Sequence, residues 1–208
     1  MSFRYALENY IKNPSFEKEA RVYEDDKFVV IKDGFPKATI HYLILPKDLK
    51  ISKQNPLTVF KNKELREDTS KIISQIREKI LKRLRDEFNI EEDEDFIQVG
   101  VHSVPSMNNL HVHLVTRDFN SERLKHKQHY NSFTTKFFVN FEDLPLRDGD
   151  ERLDADTMEK VKKTSDQICV YCGKNYKNKF AELKKHLTQE FNDKYKNKKR
   201  KIEVIEID

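Results

Sequence analysis

The sequence has few cysteines, no long hydrophobic run and almost no net charge. No apolar stretch approaches the roughly 20 residues that cross a bilayer. The opening residues, MSFRYALENYIK, lack the apolar core and cleavage site of a secretory signal. We therefore expect a soluble, intracellular protein with no membrane partner. The only two cysteines lie three residues apart, and in a reducing compartment such a pair indicates a metal site rather than a disulfide.

The chain does contain enough apolar residues for a core and many charges of both signs. Hydrophobic and charged residues each make up 37% of the 208 residues, which suits one domain plus a small appendage. The net charge of +4 is too small to indicate a class of binding partner, but the charges are unevenly distributed. Residues 91–95 read EEDED, whereas 194–201 read KYKNKKRK. The basic run is a candidate for contact with nucleic-acid phosphates.

Hydrophobic periodicity predicts an α+β fold built on an antiparallel sheet. Residues 65–88 repeat isoleucine and leucine at three- and four-residue spacing, which is typical of an amphipathic helix. A shorter helix is predicted over residues 1–12. Stretches rich in Val, Ile and aromatic residues predict strands on either side of the long helix, at 27–32, 39–45, 96–102 and 110–117. An order of strands, helix and strands favours the α+β class.

The pattern divides the chain into three parts. Residues 1–145 form the main domain, 146–166 a linker and helix, and 167–208 a small C-terminal unit with a basic tail. The first boundary rests on Leu144-Pro145-Leu146 and on the polar stretch 147–156, which is typical of a turn and a solvated linker. A helix is predicted to begin at Met158. The chain contains no internal repeat.

The segment 109–115, NLHVHLV, places two histidines on one predicted strand. Because alternate residues of a strand face the same side, His111 and His113 share a face with Asn109, while the leucines and valine between them face the core. Paired imidazoles could bind a metal, hold a phosphate, or supply a nucleophile beside a proton donor. The alternative is an exposed strand face that happens to carry two histidines.

Longer motifs around this strand resemble a known family. They read FPKATIHYLILP at 35–46, HSVPSM at 102–107, NNLHVHLVTRDFNS at 108–121 and LKHKQHYNSF at 124–133. The histidine strand resembles the His-φ-His-φ-His-φ-φ motif of the histidine-triad superfamily, and the combination is similar to its aprataxin branch. We expect the fungal-type form, without an N-terminal phosphopeptide-binding domain. No protein partner is indicated.

The resemblance implies a role for each matching residue. His111 matches the nucleophile, His113 a histidine that contacts the reacting phosphate, and His102 one that assists the leaving group and then the attacking water. Asn109 departs from the histidine consensus at the first triad position, which usually supports geometry. His41 matches a structural histidine. The expected nucleotide- and phosphate-binding residues are Asp33, which would hold the ribose, with Lys37, Ser106 and Met107.

Other positions are expected to meet DNA. Phe3 matches the base-stacking wedge of the family, although a core role is the alternative. Lys125, Lys127 and His129, together with His126, are predicted to form a basic loop that faces DNA. The basic tail would bind the DNA backbone without sequence preference.

The C-terminal cysteines have the spacing of a zinc finger. Cys169 and Cys172 are followed after thirteen residues by His186, on a predicted helix at 180–191. Helical spacing calls for a fourth ligand one turn later, where Glu190 stands. Zinc accepts carboxylate oxygen, so the four residues could close a tetrahedral structural site. The alternative is an exposed Glu190, with water or nothing as the fourth ligand. The resemblance also implies such a finger.

These observations predict a nuclear DNA-repair hydrolase. The resemblance implies removal of AMP from the 5′ ends of DNA left by abortive ligation, through a covalent histidine–AMP intermediate; whether 5′-linked GMP is also removed stays open. Adenylated DNA at nicks and ends would be the substrate, AMP a product, zinc a structural cofactor, and no cofactor would serve catalysis. Two alternatives stay open. One is a hydrolase of small nucleotides, and the other is a non-catalytic zinc-finger scaffold that binds DNA.

Overall fold

The computed structural model describes residues 3–196, except for the side chain of Phe3. The predicted wedge side chain and residues 197–208 of the predicted basic tail therefore lie outside the described part. The helices are α1 (Glu8–Lys12), α2 (Leu49–Ser52), α3 (Lys63–Phe88), α4 (Lys127–Thr134), α5 (Ala155–Thr164) and α6 (Phe180–Phe191). The strands are β1 (Arg21–Glu24), β2 (Phe28–Lys32), β3 (His41–Pro46), β4 (Ile97–His102), β5 (Val112–Thr116) and β6 (Phe138–Asn140).

The six strands form one antiparallel sheet in the order β1-β2-β3-β5-β4-β6. The four predicted strands and the α+β class are confirmed. The two edge strands were not predicted, because β1 and β6 are only four and three residues long and such short runs carry little periodicity. Among residues 3–196, no helix is long and apolar enough to span a membrane.

The long helix α3 covers one face of the sheet. Its inward stripe includes Ile76, Ile80 and Leu84, all fully buried. The Asn62 side chain accepts a hydrogen bond from the Leu65 amide and caps the N-terminus, and Asn89 ends the helix in the left-handed region. The structure confirms this predicted helix, which begins two residues earlier than its apolar repeat.

The opposite face of the sheet is also covered. On β2, Phe28 and Val30 join the core beneath α3, while Val29 and Ile31 pack with residues of the N-terminal segment, including Leu7 of the turn before α1. Strands buried on both faces read as continuous apolar runs rather than as alternating ones. This burial leaves few positions on the sheet where a polar side chain is tolerated without a function.

The C-terminal unit packs directly against α4. The Tyr130 hydroxyl donates to the Ile168 carbonyl oxygen at 2.7 Å and accepts from the Val170 amide at 3.1 Å. Tyr130 shares a buried cluster with Cys169 and Leu183. The helix predicted to begin at Met158 is α5, and the helix predicted at 180–191 is α6.

Gly100 is the point where β4 passes closest to β6. A Cβ atom there would lie 2.1 Å from the Val139 carbonyl oxygen and 2.7 Å from the Phe138 ring. Because the carbonyl belongs to the paired strand, we expect Gly100→Ala to lower the free energy of unfolding by roughly 1–3 kcal/mol. Urea denaturation measures this loss. Gly34→Ala is the matched control, since a Cβ there meets nothing within 4 Å. Equal stability of the two variants would contradict this packing.

Candidate active site

A cavity of about 510 Å³ collects most of the predicted site. The predicted residues that line it are Asp33, Lys37, His102, Ser106, Met107, His111, His113, Lys125 and His129. These residues come from separate segments of the chain, and the sheet, with α4, brings them to one place. Their individual roles stay predictions, but their convergence argues against an exposed strand face with two incidental histidines.

His111 lies immediately before β5, and a hydrogen bond to the main chain fixes its ring. Its Nδ1 is 2.6 Å from the carbonyl oxygen of Asn109. A carbonyl oxygen only accepts, so Nδ1 carries the proton and donates it. Nε2 of the neutral ring therefore holds a free lone pair. This is the tautomer that a nucleophilic imidazole requires.

The tautomer of His113 is set through His41. The Lys37 amide donates to Nδ1 of His41 at 3.3 Å, and Nε2 of His41 lies 2.9 Å from Nδ1 of His113. A backbone amide always carries its hydrogen, so Nδ1 of His41 accepts and its Nε2 donates onward. Nε2 of His113 then carries a proton. It is buried and has no hydrogen-bond partner among the described residues, so it is available to donate to a phosphate oxygen.

Aromatic rings close the site against water. The Phe133 ring centroid lies 4.7 Å from that of His102, 5.3 Å from that of His113 and 5.4 Å from that of His41. Burial is the main cause that lowers the pKa of every histidine in this group. It lowers the pKa of His41 to about 4, that of His111 below its usual range, and those of His102 and His113 further. The group is therefore neutral at pH 7.

Asn109, at the first triad position, points away from the reacting groups. Its side-chain amide donates to the Ser52 hydroxyl at 2.9 Å, and both residues are buried. Asn109 does not line the cavity. Its carbonyl oxygen, rather than its side chain, orients His111. A side chain other than histidine at position 109 is therefore compatible with the orientation of His111.

The predicted nucleotide-binding residues lie at one side of the cavity. Oδ1 of Asp33 accepts from the Phe35 amide at 2.7 Å, and Oδ2 is 3.4 Å from Nδ1 of His41. The Lys37 ammonium donates to the Phe35 carbonyl oxygen, and burial lowers the pKa of this lysine. Phe35 itself is 56% exposed, and the Arg123 guanidinium lies 5.7 Å from its ring centroid.

The predicted basic loop is wrong from residue 127 onward, because residues 127–134 form α4. Tyr130 and Phe133 bury one side of this helix, and their contacts rather than the polar composition decide the structure. Lys125 and His129 still line the cavity. Lys127 does not line it, and its ammonium donates to the Asn178 side chain. His129 is half-buried, and burial lowers its pKa to about 4.

The C-terminal unit brings its predicted ligands together. One ligand atom from each of Cys169, Cys172 and His186 lies within 4.8 Å of the others. Sγ of Cys172 is 3.2 Å from Nε2 of His186, and Oε1 of Glu190 is 3.3 Å from the same nitrogen. Both cysteines are free thiols. Two sulfurs and an imidazole this close together supply three ligands of the kind that a structural zinc ion takes, and the Glu190 carboxylate lies beside the imidazole.

Four polar or charged residues of the cavity were not predicted. They are Arg123, Gln128, Ser132 and Lys162. The spacing of Tyr130 and Phe133 could have indicated α4 and thereby its polar residues. No sequence pattern indicated Lys162 as a site residue, because it lies in residues 146–166, which were assigned to the linker and helix.

Comparisons with known proteins agree with this architecture. A family model described as scavenger mRNA decapping enzyme C-term binding matches residues 6–129, and one for a C2HE / C2H2 / C2HC zinc-binding finger matches residues 134–193. The aprataxin-like protein of Saccharomyces cerevisiae is 40% identical over 94% of this chain and 99% of its own.

Two solved structures extend the similarity to the fold. The crystal structure of the aprataxin ortholog Hnt3 in complex with DNA is 32% identical, with a TM-score of 0.80 over 94% of this chain and 98% of that one. Hnt3 in complex with DNA and guanosine is 30% identical, with a TM-score of 0.78 over 94% and 99%. With a histidine-triad fold and a finger in the same order, this chain belongs to the aprataxin-like family.

Proposed function

We propose that this protein hydrolyses the bond between AMP and the 5′-phosphate of DNA, through a covalent intermediate on His111. The observation that carries the proposal is the 2.6 Å hydrogen bond from Nδ1 of His111 to the Asn109 carbonyl oxygen. It leaves the lone pair of Nε2 free in a cavity that also holds cations and a second histidine donor. This arrangement suits attack on phosphorus.

In the first step, Nε2 of His111 forms a bond to the phosphorus of AMP. The P–O bond to the DNA phosphate breaks, and its electron pair leaves with that phosphate. A phosphate is a weak base, so this leaving group needs little proton assistance. Charge on the non-bridging oxygens is met by the Nε2 proton of His113 and by the Lys37 ammonium. The Asn109 carbonyl stabilises the positive charge on the phosphorylated ring.

In the second step, a water molecule attacks the same phosphorus. The P–N bond breaks, its electron pair returns to Nε2 of His111, and AMP is released. The water proton passes to His102 and then to solvent. A neutral His102 is needed for this role, and burial lowers the pKa of His102 so that the neutral form prevails. The protein thus supplies each reacting group, and we propose no cofactor for catalysis.

DNA is the proposed partner for three reasons. The Hnt3 structures are described as complexes with DNA, and one of them also contains guanosine. Exposed Phe35, with Arg123 beside it, offers a ring on which a base can stack at the cavity mouth. Lys125 adds a cation for the backbone. We include 5′-linked GMP as a substrate, and we place the protein in the nucleus, where such ends arise.

Small nucleotides remain the alternative substrate class, since the same cavity could act on them. If small nucleotides were the substrates, the zinc finger would have no function in substrate binding. A scaffold without catalysis is the other alternative, and the absence of histidine at position 109 is the feature that favours it. The side chain of Asn109 is bonded to Ser52, away from the reacting groups, so its identity no longer supports that alternative.

We propose that Cys169, Cys172, His186 and Glu190 hold one zinc ion, which stabilises the finger. The carboxylate of Glu190 faces the nitrogen of His186 that the cysteine sulfurs also approach. Because the finger shares a buried cluster with Tyr130 of α4, its metal would also stabilise the helix that packs against the catalytic histidines.

His111→Ala should abolish AMP release from adenylated DNA, since it removes the nitrogen that forms the bond to phosphorus. We expect a loss well beyond tenfold, which corresponds to about 1.4 kcal/mol. Single-turnover assays measure it, and an acid-labile AMP adduct should form on the wild type alone. Ser74→Ala on α3 is the control, because Ser74 is exposed and does not line the cavity. If His111→Ala keeps more than a tenth of the wild-type turnover, His111 is not the nucleophile.

AMP release should persist below pH 6.5. The nucleophile must be neutral, and burial lowers the pKa of His111 from its usual value of 6.5, so protonation silences it only at lower pH. As the pH falls, the rate of the first step should therefore reach half of its maximum at a pH below 6.5. Rapid-quench measurements from pH 4 to 8 test this. A midpoint at or above 6.5 would contradict the burial of the nucleophile.

Glu190→Ala should lower zinc retention, whereas Glu190→His should preserve it, because imidazole is also a good zinc ligand. The measurement is metal content by mass spectrometry after dialysis against a mild chelator. Glu182→Ala is the matched control on α6, since Glu182 is exposed and pairs with Lys179. Equal zinc retention by wild type and Glu190→Ala would exclude Glu190 as a ligand, and a wild type without zinc would exclude the site.

A further inference from the structure

Lys162 extends from α5 into the active-site cavity. It follows Met158 by one turn, and Met158 is fully buried, so both lie on the inward face of the helix. The side chain of Lys162 is only 18% exposed, and its Nζ lies 4.6 Å from the Phe137 ring centroid. Lysine side chains are mostly exposed in proteins, so the burial of this one needs an explanation.

Buried hydrogen bonds fix the main chain around Lys162. The side-chain amide of Asn131, which is fully buried on α4, donates to the Lys162 carbonyl oxygen at 3.1 Å and to that of Ser165 at 3.0 Å. Glu159 accepts from the Lys162 ammonium at 2.5 Å. The position of the ammonium is therefore set before a substrate arrives, which lowers the entropic cost of binding.

The neighbouring Lys163 shows that the carboxylate alone does not explain this arrangement. Lys163 contacts the same Glu159, at 3.4 Å, with a side chain that is 56% exposed. Only Lys162 lines the cavity. Lys163 shows that a solvent-exposed lysine can form an ion pair with Glu159. The burial of Lys162 therefore favours a contact with a group bound inside the cavity.

Within the cavity, Lys162 lies beside His102. The Phe137 ring contacts both, with its centroid 5.4 Å from that of His102. The positive charge of Lys162 helps to lower the pKa of His102, after burial and the neighbouring histidines. Lys37 lies near Asp33 and Phe35, where the nucleotide is expected. Lys162 therefore lies on the side of His102, which is expected to assist the leaving group, whereas Lys37 lies beside Asp33 and Phe35.

We propose that Lys162 binds the DNA 5′-phosphate that leaves in the first step. This inference rests on the proposed function. The leaving phosphate gains a negative charge as the P–O bond breaks, so a nearby ammonium stabilises the transition state more than the ground state. An ammonium has three donors, and Lys162 can keep its bond to Glu159 while it donates to the phosphate. The contact favours adenylated phosphates over adenylated amines, whose leaving group carries no phosphate.

The test compares Lys162→Met with Lys163→Met on two substrates, adenylated DNA and AMP joined to the amine of lysine. A charge-assisted hydrogen bond predicts that Lys162→Met slows AMP release from adenylated DNA by roughly 10- to 100-fold, with little change on AMP-lysine. Lys163→Met should match the wild type on both, and Lys162→Arg should recover most of the rate. An equal loss on both substrates, or an equal effect of the two methionine variants, would overturn the inference.

A binding measurement separates this inference from the proposed function. Wild type should bind a 5′-phosphorylated oligonucleotide more tightly than a 5′-hydroxyl one, and Lys162→Met should lose most of that difference. If wild type releases no AMP from adenylated DNA, the proposed function fails. If wild type is active and Lys162→Met keeps both its rate and its preference for the 5′-phosphate, only the assignment of Lys162 fails.

Discussion

A hydrogen bond from Nδ1 of His111 to the Asn109 carbonyl oxygen determines which nitrogen of the ring can react. A flipped ring would leave that buried oxygen unpaired, at a cost of about 1–3 kcal/mol, so the observed orientation prevails by roughly fivefold or more. The carbonyl is itself held in place. Ser52 accepts from the Asn109 side chain at 2.9 Å and, through its own carbonyl, from the Leu110 amide at 2.6 Å. The end of α2 thereby orients His111, the proposed nucleophile.

The helix α4 connects this site to the rest of the molecule. One side of it presents Phe133 to the rings of His41, His102 and His113. The other side holds the finger through Tyr130 and the end of α5 through Asn131. Aromatic packing on the first side removes water and keeps the histidines neutral, while hydrogen bonds on the second side fix the position of the helix.

The central strands, α3 and the finger helix could be predicted because each carries a long, regular pattern. The histidine strand could be predicted because residues 109–115 alternate clearly. The helix α4 was not predicted, since most of its residues are polar and Tyr130 and Phe133 are its only large apolar residues. Lys162 could not be assigned from the sequence either. Its role depends on α5 packing against α4 through Asn131, a contact between residues more than thirty positions apart.

The Tyr130 hydroxyl is hydrogen-bonded to Ile168 and Val170, the residues on either side of Cys169. These bonds bear on how mutations in the finger affect the whole protein. Because the finger and the histidine-triad domain both contribute residues to the buried cluster around Tyr130, we expect that exchanging either one between relatives would disturb their contact. A substitution that damages the finger would then produce the phenotype of a catalytic mutant, and a genetic screen for lost activity would recover changes far from the reacting atoms. Compensating changes should arise on α4 rather than among the triad histidines.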